Sequence, residues 1–185
     1  MAQLQDYDIT DTFSATITGN HLLTPPDSEE EVHEIQLRVD GDEIDLQAGQ
    51  SVAVIVPQEG PFGNPIHFRL YTVANNMKAS GLQKAEITLC VKRCFYIDDF
   101  SGELFPGIAS NFLCDLEVGE SVSLSGPFGH PFEIPQDENS PLLLIGLGTG
   151  IAPFRAFVRR IYGEHQGWKG KVRLFYGART GLELL

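Results

Sequence analysis

The run Leu142-Leu143-Leu144-Ile145-Gly146-Leu147-Gly148-Thr149-Gly150-Ile151-Ala152-Pro153 changes the grammar of the chain. Leu142 to Ile145 form a continuous apolar stretch, the pattern of a strand buried on both faces in a parallel sheet. Glycines then alternate at 146, 148 and 150, and Pro153 falls near the first helical positions, where a missing N–H costs nothing. Phe154, Phe157, Val158, Ile161 and Tyr162 recur at helical spacing before Gly163. Val172 to Tyr176 reads as another buried strand ended by Gly177, and Thr180 to Leu185 as the first turn of a further helix. The segment predicts one β-α-β unit of a Rossmann-like parallel sheet.

Upstream, from about residue 12 to 126, the signals are short β-type runs with no convincing helical period. They are Phe13 to Ile17, Glu34 to Val39, Ser51 to Val56, His67 to Ala74, Ala85 to Tyr96 and Ser121 to Leu124. Turn residues separate them at Thr24-Pro25-Pro26-Asp27, Asp40-Gly41-Asp42, Glu59 to Pro65 and Gly126-Pro127-Phe128-Gly129. Short strands at regular breaks predict an antiparallel barrel. The expected organisation is a β-barrel domain over residues 1–138, with an acidic segment over 1–12, and the beginning of an α/β domain over 139–185. An ordinary α/β domain needs on the order of 100 residues or more, so the second is expected to be truncated.

Charge is unevenly spread along the 185 residues, whose net charge is −12. Residues 1–37 carry eight acids and no Lys or Arg, whereas residues 150–185 carry seven bases against two acids. A nucleic-acid partner is excluded on this balance, since phosphate binding needs a basic face. The basic end is where an anionic nucleotide would sit, and Asp27 to Glu34 reads as a solvated loop. No apolar run reaches the roughly 20 residues that span a bilayer, and Met1 to Asp6 lacks a basic-then-apolar leader. A soluble cytoplasmic protein is expected, with a plastid or other organelle left open. Cys90, Cys94 and Cys114 match no metal-ligand spacing, so reduced thiols are expected, Cys94 and Cys114 as small core residues. His21, His33, His67, His130 and His165 likewise read as surface or packing residues.

Two segments carry chemistry. On a strand, Arg69 and Tyr71 of Arg69-Leu70-Tyr71-Thr72 project to one side, unless a bend at the strand end turns Thr72 toward them. A guanidinium suits bidentate contact with a pyrophosphate, and a phenol ring can stack on a planar heterocycle. The same tetrapeptide also fits an ordinary strand with a salt-bridged Arg and a packed Tyr. The turn at Gly148-Thr149-Gly150, between strand and helix, offers backbone N–H groups to an anion, or is simply a tight turn. Together they point to a flavin held beside a nicotinamide nucleotide.

With its surroundings, the chain from about Phe13 to Leu185 resembles the plant-type ferredoxin–NADP(+) reductase family, which includes modules of diflavin reductases. The resemblance rests on Arg69-Leu70-Tyr71-Thr72, on Leu89-Cys90-Val91-Lys92-Arg93 with Tyr96, and on Gly107 to Leu116. Gly126-Pro127-Phe128-Gly129, Gly148 to Arg155 and Leu174-Phe175-Tyr176-Gly177 follow in the family's order.

The resemblance implies an FAD-binding barrel and an NADP(H)-binding α/β domain, with NADH not excluded. Hydride would pass between NADP(H) and flavin, and single electrons to or from a ferredoxin, a flavodoxin-type carrier or a fused redox domain. Arg69 would neutralise the FAD pyrophosphate and Tyr71 would stack on the flavin. Thr72 would lie close to flavin N5, where the family usually has Ser. Leu70 belongs to the same cofactor-binding segment, and Cys90, Val91, Lys92 and Tyr96 match positions at the adenine half of FAD, with Lys92 also near the nucleotide phosphates. Gly107, Ile108, Ala109 and Ser110 would wrap the pyrophosphate. Gly148, Thr149 and Gly150 would face the nucleotide, with Thr149 touching both cofactors, and Ala178 and Arg179 would line the NADP cleft. The usual residue at 179 is uncharged, so Arg179 either adds a phosphate contact or is a surface cation. The family's 2′-phosphate clamp, a second active-site cysteine and the aromatic covering the flavin are expected beyond residue 185. A flavin-binding electron-transfer module without reductase activity of its own is the alternative.

Overall fold

Along Thr12–Leu22 (β1), Ala15 and Ile17 turn inward while Ser14 and Thr16 stay open to solvent, the period-two pattern of a half-buried strand. Val32–Asp40 (β2) repeats it with Ile35, Leu37 and Val39 inward. In the computed structural model Ser51–Val56 (β3), His67–Met77 (β4) and Glu86–Lys92 (β5) follow, β3 and β5 buried more continuously, with Val52 to Val54 and Ile87 to Leu89 each forming an unbroken buried run. Phe95–Ile97 (β6) and Leu104–Pro106 (β7) form a separate ribbon, followed by the helix Ile108–Asp115 (α1) and by Ser121–Phe128 (β8). The structure describes residues 6–40, 44–57, 66–77, 85–163 and 168–185. The expected turn residues Gly41, Asp42 and Glu59 to Pro65, and His165, lie outside them.

Six strands close an antiparallel barrel in the order β1-β2-β5-β4-β3-β8. Its core is made by Ile17, Ile35, Leu37, Leu46, Val52, Val54, Val73, Leu89 and Leu124, all but sealed from solvent. Closure leaves no open edge among these strands, so the backbone groups are paired all round.

Two elements depart from the sequence reading of the barrel. The expected strand Ala85 to Tyr96 breaks at Arg93-Cys94, because Arg93 N–H donates to Glu31 O and Cys94 N–H to Ser110 Oγ instead of to a sheet neighbour. Within the stretch expected to lack helix, α1 forms over residues 108–115. Eight residues are too few to show a clear period, yet Ala109, Leu113 and Leu116 sit at i, i+4 and i+7 and are all buried. They carry α1 onto β3, β4 and β5.

Leu142–Leu147 (β9), a 3-10 turn over Gly148–Ile151, Ala152–Gly163 (α2) and Val172–Gly177 (β10) make the β-α-β unit, with β9 and β10 parallel. A short 3-10 turn, Gly181–Glu183, stands where a further helical turn was expected. Ala156, Phe157 and Ile161 of α2 pack with Leu144 and Trp168. The expectation that β9 and β10 are buried on both faces fails: Leu143 is 61% exposed, Ile145 64% and Phe175 61%. α2 covers one side of the pair, and residues of opposite parity face away from it.

Phe132 joins the two parts. Its ring stacks near Phe154 at 5.8 Å and meets Phe157 edge-on at 5.8 Å, while its N–H donates to Ala48 O at 2.8 Å. The close approach requires glycine at 49, where φ is +95° and an added Cβ would lie 2.8 Å from the Phe132 nitrogen. Replacing Gly49 with Ala is expected to destabilise the protein by at least about 1–2 kcal/mol, since it adds a left-handed penalty to the clash. Urea denaturation checks this, and an unchanged midpoint would contradict the constraint.

Candidate functional site

β4 presents Arg69, Leu70, Tyr71 and Thr72 against β3 with Arg69 opposite Val54 and Tyr71 opposite Val52, so the two side chains share a face. Thr72 lies opposite Ser51, and their hydroxyls are 2.9 Å apart. Arg69 is exposed, its Nη1 donating to Phe68 O at 2.9 Å. Tyr71 packs against the barrel core, and burial pushes its phenol well above the ordinary value. Cys114 and Cys94 push it the same way, and Arg69 opposes them. Those effects place Arg69, Tyr71, Cys94 and Cys114 in one neighbourhood.

The start of α1 belongs to that neighbourhood. Gly107 N–H donates to Cys94 O at 2.8 Å, and Ser110 Oγ accepts Cys94 N–H at 3.1 Å while donating to Gly107 O at 3.2 Å. Gly107 caps the helix in extended conformation with no side-chain hydrogen bond, and the first turn holds no acid. The first-turn N–H groups of Ile108 and Ala109 therefore leave a positive helix end open to an anion. Ala109 and Ser110 are themselves buried, so the half-buried Gly107 and Ile108 are the accessible part of this turn. Against the expectation of a small core residue, Cys94 is exposed, because its strand has ended; its Sγ donates to Lys92 O at 3.3 Å. Cys114 is buried as expected, its thiol pushed up to about 12 mainly by burial.

On β5, Val91 points into the core and is 0% exposed, backbone included. Cys90 is partly buried, and burial pushes its thiol up to about 11. Tyr96 is 55% exposed and stacks on Phe105 across the β6–β7 ribbon at 5.7 Å. The glycine turn lies against β5 and β10. Gly148 takes φ +51°, and a Cβ at Gly146 would press on the backbone of Gly150 and Ile151 at 3.3–3.4 Å, so glycine is needed at both positions for so tight a turn. Thr149 is half-buried, Gly150 exposed, Ala178 half-buried and Arg179 exposed.

Between the barrel and the β-α-β unit runs a seam of ion pairs, which corrects the reading of Asp27 to Glu34 as a solvated loop. Glu30 Oε1 lies 2.6 Å from Lys92 Nζ and 3.1 Å from Arg179 Nη1. Glu31 holds Arg93 Nε at 2.8 Å and His33 at 2.7 Å, and Arg93 also reaches Asn111 and Asp115. Glu34 pairs with Arg155, whose Nε donates to Ala74 O at 3.3 Å. These acids are drawn in because β2 pairs with β5, Val32 opposite Lys92, beside the bases of the second unit. Arg155 and Arg179 are thus paired with carboxylates of the same chain.

Electrostatically the seam is acid-sensitive. The hydrogen bond from Arg93 holds the Glu31 carboxyl below the usual range against a smaller burial effect. Burial raises the Glu34 carboxyl, but hydrogen bonds from Arg155 and Gln36 outweigh it and the net shift is downward. Carboxyls lowered on folding stabilise above their unfolded values, and that stability is lost as pH falls through the folded values.

A closed barrel carrying an exposed guanidinium and a half-buried aromatic ring is thus set against a strand–glycine turn–helix. Residues 27–132 match the oxidoreductase FAD-binding domain and residues 144–185 the oxidoreductase NAD-binding domain. The chain belongs to the plant-type ferredoxin–NADP(+) reductase family. It is 38% identical over 169 residues to the chloroplastic leaf isozyme 2 of ferredoxin–NADP reductase from Oryza sativa subsp. japonica, covering 90% of this chain and 46% of that one. To the chloroplastic ferredoxin–NADP reductase of Spinacia oleracea it is 42% identical over 146 residues, 77% of this chain and 39% of that one. The chain spans somewhat under half the length of these curated relatives. In fold it is similar to ferredoxin-NADP+ reductase from Plasmodium falciparum, with TM-score 0.72 and 21% identity over 97% of this chain and 63% of that chain.

Arg93→Ala is expected to lower stability by about 1–2 kcal/mol, the worth of partly exposed charge-assisted bonds. It should also flatten the acid limb of the stability–pH curve. Denaturation at several pH values below neutrality checks both, and a parallel curve would remove Glu31 from the acid limb.

Proposed function

We propose that this chain forms the flavin-holding part, and the first β-α-β unit of the nucleotide-holding part, of an FAD-dependent oxidoreductase. The reaction is hydride exchange with NADP(H), NADH remaining open, and single-electron exchange with a ferredoxin, a flavodoxin-type carrier or a fused redox domain. The boundary between the parts falls at residues 138/139. A soluble location, cytoplasmic or plastid, accompanies this reading; among the described residues no helix is long and apolar enough to cross a membrane.

One observation carries it: α1 packs on β4, the strand of Arg69 and Tyr71, with its start hydrogen-bonded to Cys94, while the glycine turn and Arg179 reach β5 and the Glu30–Lys92 pair from the other unit. The donor set fits FAD, because an exposed guanidinium and an uncapped helix end without acids suit a pyrophosphate. When bound, the isoalloxazine supplies the hydride and one-electron chemistry.

The protein's own residues position and screen. Arg69 with the start of α1, at Ile108 and Ala109, holds the pyrophosphate, Gly107 N–H being committed to Cys94 O, and Tyr71 offers its ring. Raised by burial, the Tyr71 phenol keeps its proton through the physiological range, so no charge opposes stacking on a ring that gains electrons. Ser51 restrains the Thr72 hydroxyl, which supplies a polar edge beside the ring. Exposed Tyr96, with Cys90 and Val91 of β5, receives the adenine half, and Gly148, Thr149, Gly150, Lys92, Ala178 and Arg179 receive the nicotinamide nucleotide.

The second reading, a flavin-holding electron-transfer module without turnover, draws on the open outer face of β9 and β10. Reconstitution with FAD tests both readings: a visible flavin band is expected, and a colourless protein that takes up no FAD overturns them. Stopped-flow reduction by NADPH and by NADH then separates reductase from module. Arg69→Ala should weaken FAD binding by about 1.5–3 kcal/mol, measured by flavin fluorescence titration. For Tyr71→Ala a shifted flavin spectrum is expected, and an identical one argues against stacking.

A further inference from the structure

The two cations assigned above to nucleotide phosphates, Lys92 on the barrel and Arg179 after β10, are both held by one side chain, Glu30. Its Oε1 takes Lys92 at 2.6 Å and Arg179 at 3.1 Å, with the Glu30 side chain 19% exposed, Lys92 35% and Arg179 79%. A carboxylate so placed does what a phosphate oxygen would do: it neutralises two converging cations, one from each part of the molecule. Its backbone is anchored beside them, since Arg93 N–H donates to Glu31 O and Val32 pairs with Lys92. The neighbouring acids are committed elsewhere, Glu31 to Arg93 and His33 and Glu34 to Arg155. Glu30 alone among them serves the Lys92–Arg179 pair.

We propose that Glu30 is a resident anion of the nucleotide cleft, occupying the Lys92–Arg179 phosphate subsite until a nucleotide phosphate displaces it. The inference rests on the nucleotide reading above and deepens it, because it assigns a residue that sets nucleotide affinity from outside the phosphate-binding loop. Binding exchanges one anion for another on the same two cations, so it neutralises less charge than binding to free cations would. Two consequences follow: affinity is held down, and its dependence on salt is shallow. The exposed partner, Arg179, is the one that yields, since it loses least on rotating into solvent.

The test is calorimetric titration of the FAD-loaded chain with NADP+ and, separately, with inorganic pyrophosphate at several salt concentrations, which needs no turnover. The proteins compared are the native chain, Glu30→Gln, Lys92→Ala, and Glu30→Gln combined with Lys92→Ala. Glu30→Gln is expected to bind both probes about three- to tenfold more tightly at low salt, the worth of two partly exposed ion pairs, and to lose affinity more steeply as salt rises. The gain should disappear when Lys92→Ala is added. Equal or weaker binding by Glu30→Gln, while Lys92→Ala still weakens the native chain, overturns the role of Glu30 and leaves the nucleotide cleft standing. Unchanged binding in Lys92→Ala, or no binding in any of the proteins, overturns the cleft assignment and this inference with it. Glu30→Asp is the control for folding: a carboxylate one methylene shorter keeps the charge, and its affinity should fall between those of the native chain and Glu30→Gln.

Discussion

Opposite charge across one seam is what makes a site out of two separate pieces of structure. Glu30, Glu31 and Glu34 come from the strand pair β2–β5 side, and Arg155 and Arg179 from the β-α-β unit, with Lys92 and Arg93 between them. Were these acids free in solvent, the basic residues gathered at the seam would repel one another. Each pair alone is worth little at a surface. Their value lies in being linked: Arg93 ties Glu31 to Asn111 and Asp115 of α1, so the helix proposed to meet the pyrophosphate shares an electrostatic network with the seam.

Much of this was legible before any coordinates. The barrel strands follow from alternation, and the β-α-β unit from an apolar run, a glycine turn and a helical period; each is a local pattern that packing does not overrule. Residues 108–115 are harder, because about two helical turns between Gly107 and Leu116 carry too little periodicity, although the spacing of Ala109, Leu113 and Leu116 is present. Burial of Leu143, Ile145 and Phe175 was misjudged because an apolar run states what a strand can bury, and the covering layer is supplied elsewhere.

At the candidate site, residue types could be read but pairings could not. Arg69 and Tyr71 sharing a face is a matter of strand parity, and it follows from the sequence. That Glu30 meets Lys92 and Arg179, across 62 and 149 positions, depends on barrel register and on the docking of β10, and no local signal encodes it. Composition alone favoured a solvated loop, since most acidic runs are one. Cys94 was misplaced for a related reason: the end of β5 is set by a hydrogen bond from its own N–H to Ser110, a residue of α1.

Phe132 bears on how the cleft can open. Its ring belongs to the same apolar cluster as Ala48, just before β3, and Phe157 of α2, and Gly49 leaves no slack around it. A hinge between barrel and β-α-β unit would have to pull an aromatic ring out of a packed interior, whereas swinging a glutamate and an exposed arginine disturbs only water and rotamers. In the proposed cleft, side-chain exchange of the kind surface rotamers undergo in nanoseconds would then suffice to admit a ligand without parting the barrel from the β-α-β unit.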